Sequence, residues 1–236
     1  MPKVTLEDNN HNQLILNTMA RIYQGITGAI NGKVGNVVGR FRLGTNVIAI
    51  YQPVVFNPQT VPQETNRQGF GLVSQLMSKC IGAVNWGLKA YKGQGSNRHK
   101  GITAPNKFMQ LNKSILTGTY PNQSIDYSKV VFSKGGVVLP ANPACSVSGA
   151  NIVFSWTDNS GAAPKCLATD TMGYVAFNEQ KSECVFVAVA AKREDATASF
   201  AYPNSWAGDN ADMYIIFANA DGTECSDSQY LGSMSL

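Results

Sequence analysis

The chain has 236 residues, enough for one large domain or two small ones and for cores that need no covalent staples. Only 14% of residues are charged, and no apolar run approaches the roughly 20 residues that cross a bilayer, so membrane insertion by a helix is excluded. The net charge of +4 hides a division: residues 1–124 hold 13 Lys+Arg against three acids (net +10), and residues 125–236 hold six against 12 (net −6).

Met1 to Asn12 are polar and carry Glu7 and Asp8, unlike the basic start and apolar core of a secretory signal. Five cysteines at irregular gaps, with no C-x-x-C pair, are expected as free thiols of a protein made in the cytoplasm. With only His11 and His99 beside them, a zinc site is not expected.

In chain order, Gln13–Gln24 fits a helix. Gly32 to Tyr51 carries β-branched residues on both sides of Leu43-Gly44-Thr45-Asn46, the signature of a hairpin. The glycines on its first strand imply a bulge or a close backbone approach. Pro53, Pro58 and Pro62 then punctuate an extended linker. Phe70, Val73, Met77, Cys80, Ile81, Val84 and Leu88 recur at gaps of three and four and predict one amphipathic helix over about 64–90. Gly69, Gly71 and Gly82 weaken it or permit close packing. Lys92 to Gly101 is a basic, glycine-rich loop. A second helix follows, with Thr103 as cap, Pro105 in its first turn, Phe108, Leu111 and Ile115 on its buried face, and Gly118 at its end.

From Ile125 onward the pattern changes to short strands separated by Gly, Asn, Asp and Ser. The expected strands are Lys129–Phe132, Ser146–Ser148, Ile152–Trp156, Met172–Asn178, Cys184–Ala190, Ala198–Ala201, Met213–Ala218 and Gln229–Gly232. Such spacing predicts an antiparallel sandwich. The fold class is therefore α+β. An N-terminal β-hairpin and two helices form a basic docking module over 1–124, and an acidic β-sandwich covers 125–236.

Several motifs occur together: Gly32-Lys33-x-Gly35-x-x-x-Gly39, Asn57-Pro58-x-Thr60-x-x-Gln63-x-x-x-Arg67, Gly118-x-Tyr120-Pro121, Phe154-x-Trp156-x-Asp158-Asn159-Ser160-Gly161 and Pro203-x-x-Trp206-x-Gly208. They resemble an uncharacterised family of Bacteroidetes-type genomes, a domain of unknown function, from residue 25 onward. That resemblance implies the layout and supplies no catalytic residue. Residues 125–236 separately resemble fibronectin type III or immunoglobulin-like sandwiches, which implies Trp156 on an early core strand and Tyr214 on a late one.

Each candidate site has a plainer role. Gly32–Gly39 lacks the Gly-Lys-Ser/Thr ending of a phosphate loop, so strand-and-turn geometry is expected. His99 has cations for neighbours rather than an orienting partner. Asp158 suits a turn better than a calcium site, and Trp156 and Trp206 suit a core better than a ligand platform. No catalytic, cofactor-binding or metal-binding residue is therefore named, and no small-molecule substrate is evident.

Lys33, Arg40, Arg42, Arg67, Arg98 and Lys100 remain as an interaction set. The expectation is a non-enzymatic structural or assembly protein making protein–protein contacts. It would self-associate or join a larger assembly, such as a phage or prophage virion. The alternative is a nucleic-acid-associated protein binding through its basic half.

Overall fold

β-branched residues interrupted by glycine give the leading segment a meander rather than a single hairpin. The computed structural model describes residues 21–23, 29–42, 45–54, 57–91 and 102–236. Strands β1 (Arg21–Tyr23), β2 (Ala29–Val34), β3 (Val37–Arg42) and β4 (Thr45–Ile50) pair antiparallel in that order. Gly35, at φ +57°, turns β2 into β3, and Gly32, at φ +116°, bends β2. Gly39 lies so close to Ile30 that a Cβ there would strike its carbonyl, the close approach expected of these glycines. The helix expected over Gln13–Gln24 is corrected at its described end, where Arg21 pairs with Asn31 as strand. The rest of that segment, and the Leu43-Gly44 turn, lie outside the described residues.

The chain divides into two compact units, residues 1–58 with 96–99 and residues 59–95 with 100–236.

That unit begins with α1 (Val61–Lys79), capped by Thr60, whose N–H donates to Gln63 Oε1 at 3.2 Å. The single helix expected to residue 90 breaks at Cys80, and α2 (Ile81–Gly87) follows. The break lets Gly82 lie against Phe186, where a Cβ would come within 3.3 Å of the ring, and lets Trp86 meet Phe186 at 5.6 Å. Phe70, expected on the buried stripe, is instead 65% exposed. Helix α3 (Ala104–Leu111) has the expected Thr103 cap but stops well before Gly118. There the Asn112 side chain donates to the carbonyls of Phe108 and Val131 and accepts from the Val131 N–H. These bonds bind the helix end to the following chain. A short hairpin, β5 (Leu116–Thr117) and β6 (Ser124–Ile125), precedes a 3-10 turn at Tyr127–Lys129, and the strand expected over Lys129–Phe132 does not form. Asp126 accepts from the Ser128 N–H and so favours the turn.

Seven strands complete the unit: β7 (Ala141–Ser148), β8 (Asn151–Thr157), β9 (Thr171–Asn178), β10 (Glu183–Lys192), β11 (Thr197–Ala201), β12 (Asn210–Ala218) and β13 (Gln229–Ser235). They form two antiparallel sheets, ordered β10-β9-β12-β13 and β11-β8-β7. Two hydrophobic clusters explain the layering. In one, Ile152, Phe154 and Trp156 of β8 meet Met172, Tyr174 and Ala176 of β9 and Met213, Ile215 and Phe217 of β12. In the other, Val175 and Phe177 of β9 and Tyr214 and Ile216 of β12 meet Val73, Leu76 and Val84 of the helices, with Phe108 and Phe132. The four-stranded sheet is thus buried on both faces, which is why its central strands read as continuous apolar runs.

Polar bonds join these layers. Ser133 Oγ lies 2.6 Å from the Ser226 carbonyl and 2.9 Å from the Gly87 carbonyl, its one proton serving one of them at a time, and Tyr214 Oη donates to the Tyr127 carbonyl at 2.6 Å.

Candidate interaction surface

Residues paired across antiparallel strands share a face. In the meander, Val34, Val37 and Ile50 form one row; Gly32, Gly39 and Ile48 form the next; Phe41 and Asn46 form a third. No charged residue belongs to these rows. Their apolar side chains are open to solvent: Ile50 is 80% exposed, Ile48 62%, Phe41 61% and Val34 48%. The reverse face carries Lys33 beside Val38 and Ala49, and Arg40 beside Val47. Arg42 pairs with Thr45 in the backbone register.

Among the described residues no strand pairs with the outer edge of β4. The Tyr51 N–H donates to the Asn36 carbonyl at 2.7 Å, which sets the phase of the β3–β4 ladder. By the alternation of antiparallel bonds, Asn46, Ile48 and Ile50 aim their N–H and C=O groups away from β3. All six residues of β4 are exposed, and none is charged. Natural proteins blunt such edges with Lys, Pro or a bulge, and β4 has none of these. Of the residues in this unit whose burial is described, Gly39 alone is buried. A sheet is stable when it buries an apolar face, and no described residue covers this one.

The six cations singled out from the sequence separate here. Lys33, Arg40 and Arg42 lie on the meander. Arg67 lies on α1 in the larger unit, where its Nη1 reaches Glu64 Oε1 at 2.6 Å. Arg98, Lys100, His11 and His99 lie outside the described residues. Lys33 sets its Nζ 3.6 Å from the centre of the Tyr51 ring, a cation–π contact. Neither Lys33 nor Arg40 is in an ion pair among the described residues. Reasoning from charge missed the apolar face. Its signal was the period-two series Phe41, Ile48 and Ile50 facing the glycines Gly32 and Gly39.

The acidic half distributes its charge differently. All six of its cations are ion-paired within the unit: Lys129 with Asp126, Lys134 with Asp227, Lys165 with Glu224, Lys181 with Asp209, Lys192 with Glu194 and Arg193 with Asp170. Six carboxylates are left without a cation among the described residues: Asp158, Glu179, Glu183, Asp195, Asp212 and Asp221. Glu179, Glu183 and Asp212 lie at the end of the sheet where Asn178 pairs with both Glu183 and Ala211. Burial raises the Asp212 carboxyl above its ordinary range; Tyr230 Oη, donating at 2.8 Å, opposes this, and the charge of Glu179 adds to it. The Tyr127 phenol is pushed up to about 12, by burial first and then by Glu179 and Asp212. Glu179, with Lys79, lines a cleft of ≈ 320 Å³ walled by Leu72, Leu76, Tyr127 and Phe177, whereas Asp212 is buried and Glu183, on the opposite face of the sheet, accepts from Trp206 Nε1 at 2.7 Å.

The Trp156-x-Asp158-Asn159 motif is consumed by structure. Both Asp158 oxygens accept from Ser160, one from its N–H at 2.8 Å and one from its Oγ at 3.1 Å. Arg193, fully buried, donates to Asn159 Oδ1 at 2.7 Å, to the Val138 carbonyl at 2.6 Å and to Asp170 Oδ2 at 3.0 Å. Its own carbonyl accepts from Trp156 Nε1 at 2.8 Å. Trp156 and Trp206 are both core residues, and all five cysteines are free thiols.

Residues 28–232 match a family of unknown function, DUF6266. The chain belongs to that family. No curated protein matches the chain. The DUF6266 region takes in the bend at Gly32, the whole β3–β4 edge, the three helices and both sheets. The exposed meander is therefore part of the domain's own layout.

Proposed function

We propose that this DUF6266 chain is a non-enzymatic structural protein that docks on other proteins as part of a larger assembly. The observation that carries the reading is the uncharged, solvent-open face and free β4 edge of a sheet that buries none of its described side chains. Exposed apolar patches with unpaired edges mark association sites. A phage or prophage particle is the setting that suits this composition: few charges, Asn-, Gly- and Ser-rich strands, and free thiols in keeping with synthesis in the cytoplasm. The test is gradient fractionation of a native lysate with peptide mass spectrometry of each fraction. The chain at fixed stoichiometry in a particle, lost when Ile48 and Ile50 are both changed to Lys, supports the proposal. The chain confined to the slow, small fraction refutes it.

We also read the two sheets of the acidic half as a fibronectin type III or immunoglobulin-like sandwich. Named A to G in chain order, the strands fall as A-B-E against D-C-F-G. This differs from the constant-type immunoglobulin order only in the fourth strand, which sits beside the third rather than the fifth.

A second reading, binding of nucleic acid, is favoured by Lys33 and Arg40 sharing a face without carboxylate partners among the described residues. Titration with DNA and RNA oligomers between about 50 mM and about 200 mM salt tests it, because phosphate contacts are lost steeply over that range. Negligible binding at the lower salt removes it.

A further inference from the structure

We infer that Cys80 and Cys184 are a redox-sensitive pair. They are free thiols in a reducing medium, and in an oxidising one they close into a disulfide that pins the break between α1 and α2 to strand β10. This goes beyond the docking role and holds whether or not the meander docks.

Register and packing bring the two sulfurs together. Across β10 and β9, Cys184 pairs with Phe177 and Phe186 with Val175. Paired residues share a face, and Phe177 and Val175 belong to the helix-side cluster, so Cys184 and Phe186 both face the helices. Helix α2 crosses that face. Gly82 lies against Phe186, and further along Trp86 meets the same ring at 5.6 Å. The tip of Trp86 reaches Gly173, within 3.0 Å of where a Cβ would stand, beside the Val187 and Ala188 carbonyls. Helix and strand therefore advance in the same direction. Cys80, two residues before Gly82, comes over Cys184, two residues before Phe186, and the thiols meet there as hydrogen-bonded partners within one cluster. The other cysteines are placed differently. Cys166 Sγ donates to the Asn159 carbonyl at 3.1 Å, Cys225 Sγ lies 3.5 Å from the Trp86 carbonyl, and Cys145 packs against the second cluster.

Cys184 is half-buried and Cys80 is buried, so an oxidant of the hydroperoxide class meets Cys184 first. The Cys184 sulfur takes one peroxide oxygen as the O–O bond breaks, giving a sulfenic acid and one water. The Cys80 sulfur then attacks that of Cys184. The S–S bond forms, the S–O bond breaks, and the oxygen leaves with the Cys80 proton as a second water. The two sulfurs together give up two electrons, and the peroxide takes both. The bond to Cys184 and then burial hold Cys80 above the ordinary thiol range, so closure is slow compared with that of an exposed, acidic pair. The bridge joins positions 104 apart in the chain (184 − 80), a ring large enough to restrict the unfolded state strongly.

The experiment treats the native full chain near neutral pH with hydrogen peroxide, blocks the remaining thiols with iodoacetamide in denaturant, and maps the peptides by mass spectrometry. The expected product is a linked Cys80–Cys184 peptide, with three of the five thiols left and all five restored by dithiothreitol. The oxidised chain should also unfold at a higher urea concentration than the reduced one. Cys184→Ser should form no linked peptide and show no such shift. A native chain that yields no Cys80–Cys184 link, while the denatured chain oxidised alike yields disulfides, overturns the inference. So does a bridge that uses Cys145, Cys166 or Cys225 as readily, a covalent dimer in place of the internal link, or a lower urea midpoint after oxidation. None of these results bears on docking, which the fractionated particles decide.

Discussion

Arg193→Met should be among the most damaging single changes in the larger unit. The guanidinium is fully buried, sits 4.7 Å from the centre of the Phe217 ring, and donates to Leu167, Asn159, Val138 and Asp170. Removing it strands the Asp170 carboxylate, itself 1% exposed, with the Leu167 N–H at 2.9 Å as its remaining described partner. Breaking one side of a buried ion pair costs about 3–5 kcal/mol. For a unit of this size each kcal/mol moves the thermal midpoint by about 2–4 °C, so the expected fall is on the order of 10 °C. Urea unfolding followed by tryptophan fluorescence is the assay, since Trp156 and Trp206 are buried in the same core. Adding Asp170→Leu should recover part of the loss, with a coupling of about 2 kcal/mol or more. A single variant within about 1 kcal/mol of wild type, or purely additive effects, would refute the account of this network as an interdependent buried ion pair.

Glycines give a paired prediction. Gly87→Ala should destabilise by about 1–3 kcal/mol, since its Cβ would lie 2.6 Å from the Phe132 carbonyl oxygen and 2.8 Å from Ser133 Cβ. Gly71→Ala, in open space on α1, should stabilise by up to about 1 kcal/mol, with chemical denaturation midpoints deciding both. Asp212 predicts a pH signature. Its native carboxyl titrates above the unfolded value, so its protonation favours folding at low pH, and that contribution is lost as pH rises from the ordinary Asp value through the raised one. Asp212→Asn should therefore be more stable relative to wild type at neutral pH than at pH about 3, measured as a difference in unfolding free energy; no change with pH would refute it. Among the thiols, a hydrogen bond with Cys184 and burial hold Cys80 well above the ordinary thiol range, and burial pushes Cys145 up to about 11 and raises Cys225. Alkylation of the native chain near neutral pH should spare these three until denaturant is added, as read by mass spectrometry.

How much of this was legible in the residues depends on what each stretch packs against. In β8 the alternation of Ile152, Phe154 and Trp156 with Val153 and Ser155 reports a sheet buried on one face, and the strand appears where expected. In β12 the run Tyr214-Ile215-Ile216-Phe217 has no alternation because helices cover the second face. That run was the clue that residues before 124 pack on the sheet, and strand spacing alone did not disclose it. The helix break at Cys80 was hidden because the apolar spacing continues across it; only the approach of Gly82 to Phe186 explains the change of direction. At the interaction surface, cations stand out in a sequence whatever their surroundings. The uncharged face of the meander was invisible until register placed Phe41, Ile48 and Ile50 together and exposed.

Both hydrophobic clusters draw all their members from residues beyond Gln59, and none from the meander. Among the described residues, the sheet proposed as a docking surface contributes no side chain to either cluster. On the proposed docking role, scission within the proline-punctuated connector removes the docking sheet while sparing every buried side chain of either cluster. On the same proposal, substitutions on that sheet change the choice of partner without removing a side chain from either cluster.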